Sequence, residues 1–365
     1  MNFNLPPAMA EATRLTREGK LHEAMALLRG GPRDAAPPRP APAGRVFDVE
    51  PDAVASAQPG GFMERLKRGL HRTQPAAAAP IPPGARFLDE GYAGAGGSRA
   101  FKLYIPASLP AGPVPLLVML HGCTQSPDDF AAGTCMNALA EAEPCLVAYP
   151  AQTASANAQR CWNWFNPEDQ RRDQGEAAIL AGITRQILRD HAVDPRRVYV
   201  AGLSAGGAQA AIMGAAYPEL YAAIGVHSGL ACGAARDVPS AFAAMRGGAA
   251  GVVSASGRPV PTIVFHADRD ATVHPVNGDQ VIAQARSATR LRAESSRGAV
   301  PDGHAWTRTR HSDAAGRTVL EQWVVHGGGH AWSGGDPAGS YTDPRGPDAS
   351  RAMRRFFAEH PLPAG

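Results

Sequence analysis

Ser204, Asp270 and His330, in that chain order, are the residues best placed to do chemistry. Ser204 stands in Gly202-Leu203-Ser204-Ala205-Gly206, after the apolar run Val198-Tyr199-Val200-Ala201 and before an Ala-rich stretch ending at Tyr217. Strand, Gly-x-Ser-x-Gly, helix is the sequence form of a nucleophile elbow. The turn is so tight that its flanks need residues without bulk, and it lifts the serine hydroxyl above the sheet edge. Spacing alone is weak in a chain with 40 Gly; the flanking strand and helix give it weight. A serine needs a base and the base an orienting carboxylate, in the order Ser, Asp, His. We assign Ser204 as nucleophile, His330 as general base and then acid, and Asp270 as the carboxylate that orients the imidazole.

Both partners have rivals close by. Asp268 lies two residues from Asp270, and His326 four residues before His330. His326 falls where its strand should still be finishing. On a helix, His326 and His330 would make a metal pair, but three intervening glycines oppose a helix and no Cys or Glu set accompanies them. No metal and no cofactor are expected. His326-Gly327-Gly328-Gly329 matches an oxyanion-loop pattern, yet such loops precede the nucleophile and this one follows it. The oxyanion donors are instead expected to be backbone N–H groups of Ala205, after the nucleophile, and of Cys123, in His121-Gly122-Cys123-Thr124-Gln125. His121 is read as fixing that loop by hydrogen bonding, without proton transfer of its own. Trp162, Trp164 and Trp332 cluster around the same loops and are read as walls of an apolar acyl or aryl pocket.

Strands must deliver these residues to one edge. Pro115–Leu120 reads as a buried strand feeding the oxyanion loop, and Pro261–His266 as one feeding Asp270. Leu320–Val325 feeds the histidine loop, after a hairpin partner at His304–Arg310. Further strands are predicted near Phe87–Tyr92, Arg99–Ile105, Cys145–Pro150 and Ala222–Val226. Helices are predicted at Glu176–His191, with one apolar face, and after an Asp348 N-cap. Alternating strands and helices imply a mainly parallel sheet with helices on both faces.

Five motifs occur in one order: Leu120–Gln125, Cys161-Trp162-Asn163-Trp164-Phe165, Gly202–Gly207, His227-Ser228-Gly229 and Gly329-His330-Ala331-Trp332-Ser333-Gly334-Gly335. Together, over about residues 86–362, they resemble the polyhydroxybutyrate-depolymerase-like esterases, relatives of feruloyl and acetylxylan esterases. The resemblance implies an α/β-hydrolase fold, no metal, and hydrolysis of carboxylic esters with Ser204, Asp270 and His330 at the triad positions. Short-chain hydroxyalkanoate esters, such as 3-hydroxybutyrate oligomers, are the expected substrates, with feruloyl or acetylxylan esters as the alternative. From other classes, an acyltransferase using the same triad and a non-enzymatic scaffold remain open. The family is largely extracellular, yet no recognisable signal peptide and no polymer-binding module are seen, which leaves localisation open and favours soluble esters over crystalline polymer.

The chain divides into a short helical element (1–30), a Pro/Ala-rich linker (31–84) and a catalytic domain (85–365). Residues 1–30 mix charged and apolar side chains and lack an apolar stretch of export-signal length. A basic amphipathic island at 62–72 offers a weak surface contact. With 365 residues at 44% hydrophobic composition the chain can bury a full-sized core. A net charge of +3 leaves no nucleic-acid footprint, and no apolar run reaches the ~20 residues of a membrane span. Of five cysteines, Cys123 with Cys161 and Cys135 with Cys145 are the first pairings to consider, against all five being reduced.

Overall fold

The computed structural model describes residues 81–94, 96–250, 259–286 and 290–363. The expectations for residues 1–30, for the linker up to residue 80 and for the basic island at 62–72 lie outside the described residues.

Ten strands form one sheet. In chain order they are β1 (Arg86–Gly94), β2 (Gly97–Ile105), β3 (Val114–Leu120), β4 (Leu146–Pro150), β5 (Val193–Leu203), β6 (Ala223–His227), β7 (Thr262–Ala267), β8 (Arg292–Ala299), β9 (Ala305–Ser312) and β10 (Thr318–His326). Their spatial order is β1-β2-β4-β3-β5-β6-β7-β10-β9-β8. The run from β4 to β10 is parallel, while β1, β2, β9 and β8 add antiparallel margins. The helices are α1 (Pro127–Thr134), α2 (Met136–Ala142), α3 (Gly175–Asp190), α4 (Ala205–Ala216), α5 (Val238–Gly247), α6 (Val276–Arg286) and α7 (Ala349–Ala358). A two-residue parallel pair, β11 (Trp332–Ser333) with β12 (Thr342–Asp343), completes the described elements.

The central strands read as unbroken apolar runs because both their faces are covered. On β3, Leu116, Val118 and Leu120 enter the core under α3 and α4, together with Ile183 and Ile212. Leu117 and Met119 enter the opposite core with Phe130, Met136, Met353, Phe356 and Phe357 of α1, α2 and α7. The pleat's two-residue period thus divides one strand between two cores. β8 was not predicted. Its Arg-Ala-Glu-Ser-Ser-Arg-Gly-Ala sequence is exposed along nearly its whole length, so no apolar alternation marks it. It exists through its ladder to β9 and contacts such as Ser295 Oγ to Thr309 Oγ1 at 2.9 Å.

Register brings the functional loops to one edge. Gly202 pairs with Leu120 on one side and Val226 on the other, His227 with Phe265, and Ala267 with Val325. The loops after β3, β5, β6, β7 and β10 therefore emerge side by side at the strands' C-terminal ends, where open parallel sheets place their ligands.

Candidate functional site

Ser204 sits between β5 and α4 with φ 57° and ψ −118°, a backbone conformation that L side chains seldom adopt. Its N–H donates to His227 O at 2.8 Å, tying the turn to the next strand. The motif's glycines are required by contact: a Cβ on Gly206 would collide with Leu120 O, and one on Gly202 with the Gly206 backbone. β3, β5 and α4 can approach this closely only because both side chains are absent.

Asp270 and His330 meet, with His330 Nδ1 at 2.7 Å from Asp270 Oδ2. The Asp270 side chain is fully buried and that of His330 is 11% exposed. The second oxygen, Oδ1, accepts the N–H groups of Thr272 and Val273, each at 2.9 Å. Burial alone would raise this carboxyl, but hydrogen bonding from His266 and His330, with the Val273 N–H, holds it well below the usual carboxylate range. It is ionised at neutral pH and fixes the His330 tautomer with the proton on Nδ1.

The rivals pair with each other. His326 Nδ1 lies 2.9 Å from Asp268 Oδ2, and its Nε2 lies 2.8 Å from the Thr307 hydroxyl. No hydrogen bond joins Ser204 Oγ to His330 among the described residues; both reach the same sheet edge, and such bonds often tighten only with substrate. Among the described residues, no group of three or more His, Cys, Asp or Glu could hold a metal ion.

The loop after β3, expected from the sequence to hold an oxyanion donor, is held by its own amides. Gly122 N–H donates to Gln125 Oε1 (2.8 Å), Thr124 N–H to Gln159 O (2.7 Å) and Gln125 N–H to Gly122 O (3.3 Å). The Cys123 N–H takes part in none of these bonds. The Ala205 N–H, first in α4, has no partner within the helix either. Cys123 is disulfide-bonded to Cys161, which fastens this loop to the 161–165 segment. Cys135 and Cys145, by contrast, are free thiols. Cys145 is fully buried at the foot of β4, and Cys135 caps α1 with its Sγ turned to Ala132 O.

Buried polar residues brace the loop from below. His121 donates from Nδ1 to Gly122 O (2.7 Å) and accepts the Gln152 N–H at Nε2 (3.0 Å); burial lowers its pKa to about 4, so it is neutral. Gln152 also contacts Glu176, whose carboxylate accepts from Asn163 N–H at 2.7 Å. Burial pushes Glu176 up to about 7, against the opposing Asn163 and Gln152 hydrogen bonds. His227, beneath the histidine loop, accepts Ser333 N–H at 2.9 Å and is lowered to about 3 by burial and by neighbouring His266 and His330. No sequence signal marks Glu176 or Gln152, since only folding brings the two together.

The three tryptophans are not pocket walls. Trp162, Trp164 and Trp332 are 0%, 5% and 1% exposed. Trp162 Nε1 donates to His121 O at 3.1 Å, and Trp332 Nε1 to Ser350 Oγ at 2.9 Å while its ring stacks on His227. Each of these two indoles buries its ring and still satisfies its N–H, so both support the loops from inside. The exposed aromatic at the site is one that sequence reading missed. Tyr341, 47% exposed, has φ 53° and places its hydroxyl 3.4 Å from Thr124 Oγ1, beside Cys123.

Residues 99–300 match the family described as Esterase PHB depolymerase. Poly(3-hydroxyalkanoate) depolymerase C of Paucimonas lemoignei is 35% identical over 201 residues, 52% of this chain and 48% of the relative. The chain thus spans about half the length of that relative. Feruloyl esterase B of Thermothelomyces thermophilus is 26% identical over 246 residues, 62% of this chain and 82% of that enzyme. An acetyl xylan esterase from Aspergillus awamori superposes with a TM-score of 0.55 at 19% identity, over 75% of this chain and 99% of that one. That likeness, with the topology above, establishes an α/β-hydrolase fold. Among the described residues no helix is long and apolar enough to cross a membrane.

Proposed function

The chain belongs to the PHB depolymerase esterase family, and on that footing we propose that it hydrolyses carboxylic esters through an acyl-enzyme on Ser204. The observation that carries the reading is the buried Asp270 carboxylate 2.7 Å from His330 Nδ1, at the edge where the elbow raises Ser204. Ser204 Oγ attacks the ester carbonyl as His330 Nε2 takes its proton. The imidazolium is stabilised by ionised Asp270, which stays ionised throughout. Charge on the former carbonyl oxygen is met by the Cys123 and Ala205 N–H groups, at the positive end of the α4 dipole. Collapse expels the alcohol, protonated by His330. Water then repeats the sequence on the acyl-enzyme, and the acid leaves.

The substrate class we favour is short-chain hydroxyalkanoate esters, 3-hydroxybutyrate oligomers among them. Support comes from the family and from the relative named a poly(3-hydroxyalkanoate) depolymerase. A feruloyl ester is the second reading, supported by the feruloyl esterase that aligns over 62% of the chain and by Tyr341, whose exposed ring could stack on an aryl acid. A fluorophosphonate probe tests the mechanism: its adduct is expected on Ser204 and absent from Ser204→Ala, which should also lack esterase activity. Comparing 3-hydroxybutyrate dimer, p-nitrophenyl butyrate, methyl ferulate and acetylxylan tests the substrate class. A kcat/KM for methyl ferulate well above both aliphatic esters would transfer the assignment to the second reading.

A further inference from the structure

Resting on that reading, we propose that Asp268, His326 and Thr307 form a hydrogen-bonded clamp that positions the loop carrying His330. This loop opens with Gly327-Gly328-Gly329, the least constrained backbone a chain can offer, and Gly327 sits at φ +86°. Left alone, it would hand His330 to Ser204 in many poses. Asp268 removes that freedom. Its Oδ1 accepts the Gly327 N–H at 2.7 Å and its Oδ2 accepts His326 Nδ1–H at 2.9 Å. Its own N–H donates to Val325 O at 3.0 Å. The outer nitrogen of His326 accepts from the Thr307 hydroxyl on β9 at 2.8 Å, which fixes the ring at both ends.

The arrangement is a two-point suspension. One turn after β7 supplies both carboxylates, with Asp268 holding the start of the histidine loop and Asp270 holding its end. A second pair, His304 Nε2 to Asp343 Oδ2 at 2.8 Å, lies beside Gly327 and Gly328. Because Thr307 occupies His326 Nε2, His326 has no nitrogen to offer substrate; it is a positioning residue. The His326 and Asp268 side chains are 41% and 40% exposed, and a pair so well solvated contributes little to stability. Its consequence is therefore expected in turnover, since a displacement of about 1 Å at a reacting group can cost a hundredfold.

The test compares Asp268→Ala, Asp268→Asn and Thr307→Val in the full chain, with p-nitrophenyl butyrate as substrate. The Asn amide can still accept the Gly327 N–H and donate to His326 Nδ1, with the ring in its other tautomer donating to Thr307. We expect Asp268→Ala to lower kcat about tenfold to a hundredfold with KM unchanged, Asp268→Asn to recover to within about threefold of the parent, and Thr307→Val to lose about threefold. An undiminished kcat in Asp268→Ala overturns the clamp, as does a loss confined to KM. An Asp268→Asn loss as deep as that of Asp268→Ala also overturns it, because charge and not suspension would then be at issue. Should Asp268→Ala fail to fold, Thr307→Val together with His326→Gln decides: full kcat in both overturns the clamp. Probe labelling of the parent separates the two readings. Without a Ser204 adduct the acyl-enzyme mechanism fails, whereas a clamp failure leaves that adduct in place.

Discussion

Asp270–His330 and Asp268–His326 are the same two residue types on the same two loops, yet they sit in different surroundings. The first pair is buried, at 0% and 11% side-chain exposure, and the second is 40% and 41% exposed. Among the described residues no hydrogen-bond partner occupies His330 Nε2, whereas Thr307 fills the same nitrogen of His326. A carboxylate in a dry, low-dielectric setting acts on its imidazole far more strongly than one screened by water. A base also needs a nitrogen that faces the nucleophile. Residue type is thus no guide to setting here; on the proposed reading, burial and the occupancy of one nitrogen divide a general base from a tether.

The difference between the pairs should be largest in the histidines. His330→Ala is expected to lower kcat by about 10⁴-fold or more, since no other group takes the serine proton. His326→Ala should lose about tenfold, by misplacement alone. Steady-state hydrolysis of p-nitrophenyl butyrate reads both, and equal losses would erase the distinction. The carboxylates come next. Asp270→Asn should cost about 10³–10⁴-fold by stabilising the wrong His330 tautomer, with Asp268→Asn within about threefold. A reversed order would make Asp268 the triad acid.

Acid stability probes burial directly. His121 and His227 have pKa values near 4 and 3 in the fold, below the ordinary ~6.5 of an unfolded histidine. Between those values the unfolded chain binds more protons, so unfolding free energy falls as pH drops from about 6.5 toward about 4. The slope is about 1.4 kcal/mol per pH unit for each histidine. Glu176, raised to about 7 by burial, opposes it by about the slope of one histidine until its unfolded value near 4.5, leaving a net loss. Asp270, depressed well below its unfolded value, adds a further loss only below about pH 4. Urea denaturation at pH 7, 6 and 5 measures this. His227→Gln should flatten the slope, and a curve level from pH 7 to 5 would contradict the buried, neutral histidines. The smallest effect is expected for Asp268→Asn, which should move the unfolding free energy by less than about 1 kcal/mol. A larger destabilisation would mean that the exposed pair holds the fold as well as the loop.

Several elements are legible in the sequence alone. β3, β5, β6 and β7 announce themselves as apolar runs because strands covered on both faces must be apolar throughout. The elbow is legible because its constraints are local: Gly202 and Gly206 stand where backbone must touch backbone. β8 is illegible for the opposite reason, being an exposed margin strand defined by its neighbour's ladder.

Local chemistry, then, was written in the chain: a serine on a tight turn, carboxylates and histidines just past strand ends, a short glycine-bearing loop after a buried strand. Which Asp meets which His was left open by a spacing of two residues and of four. Register between β7 and β10 decided it, sending Asp270 inward to His330 and Asp268 outward to His326. The same holds for the tryptophans beside the motifs, which folding turned into the interior, and for the cysteines, of which Cys123 found Cys161 while Cys135 and Cys145 stayed apart. Burial and pairing depend on what arrives from distant parts of the chain, and no window of sequence contains that neighbour.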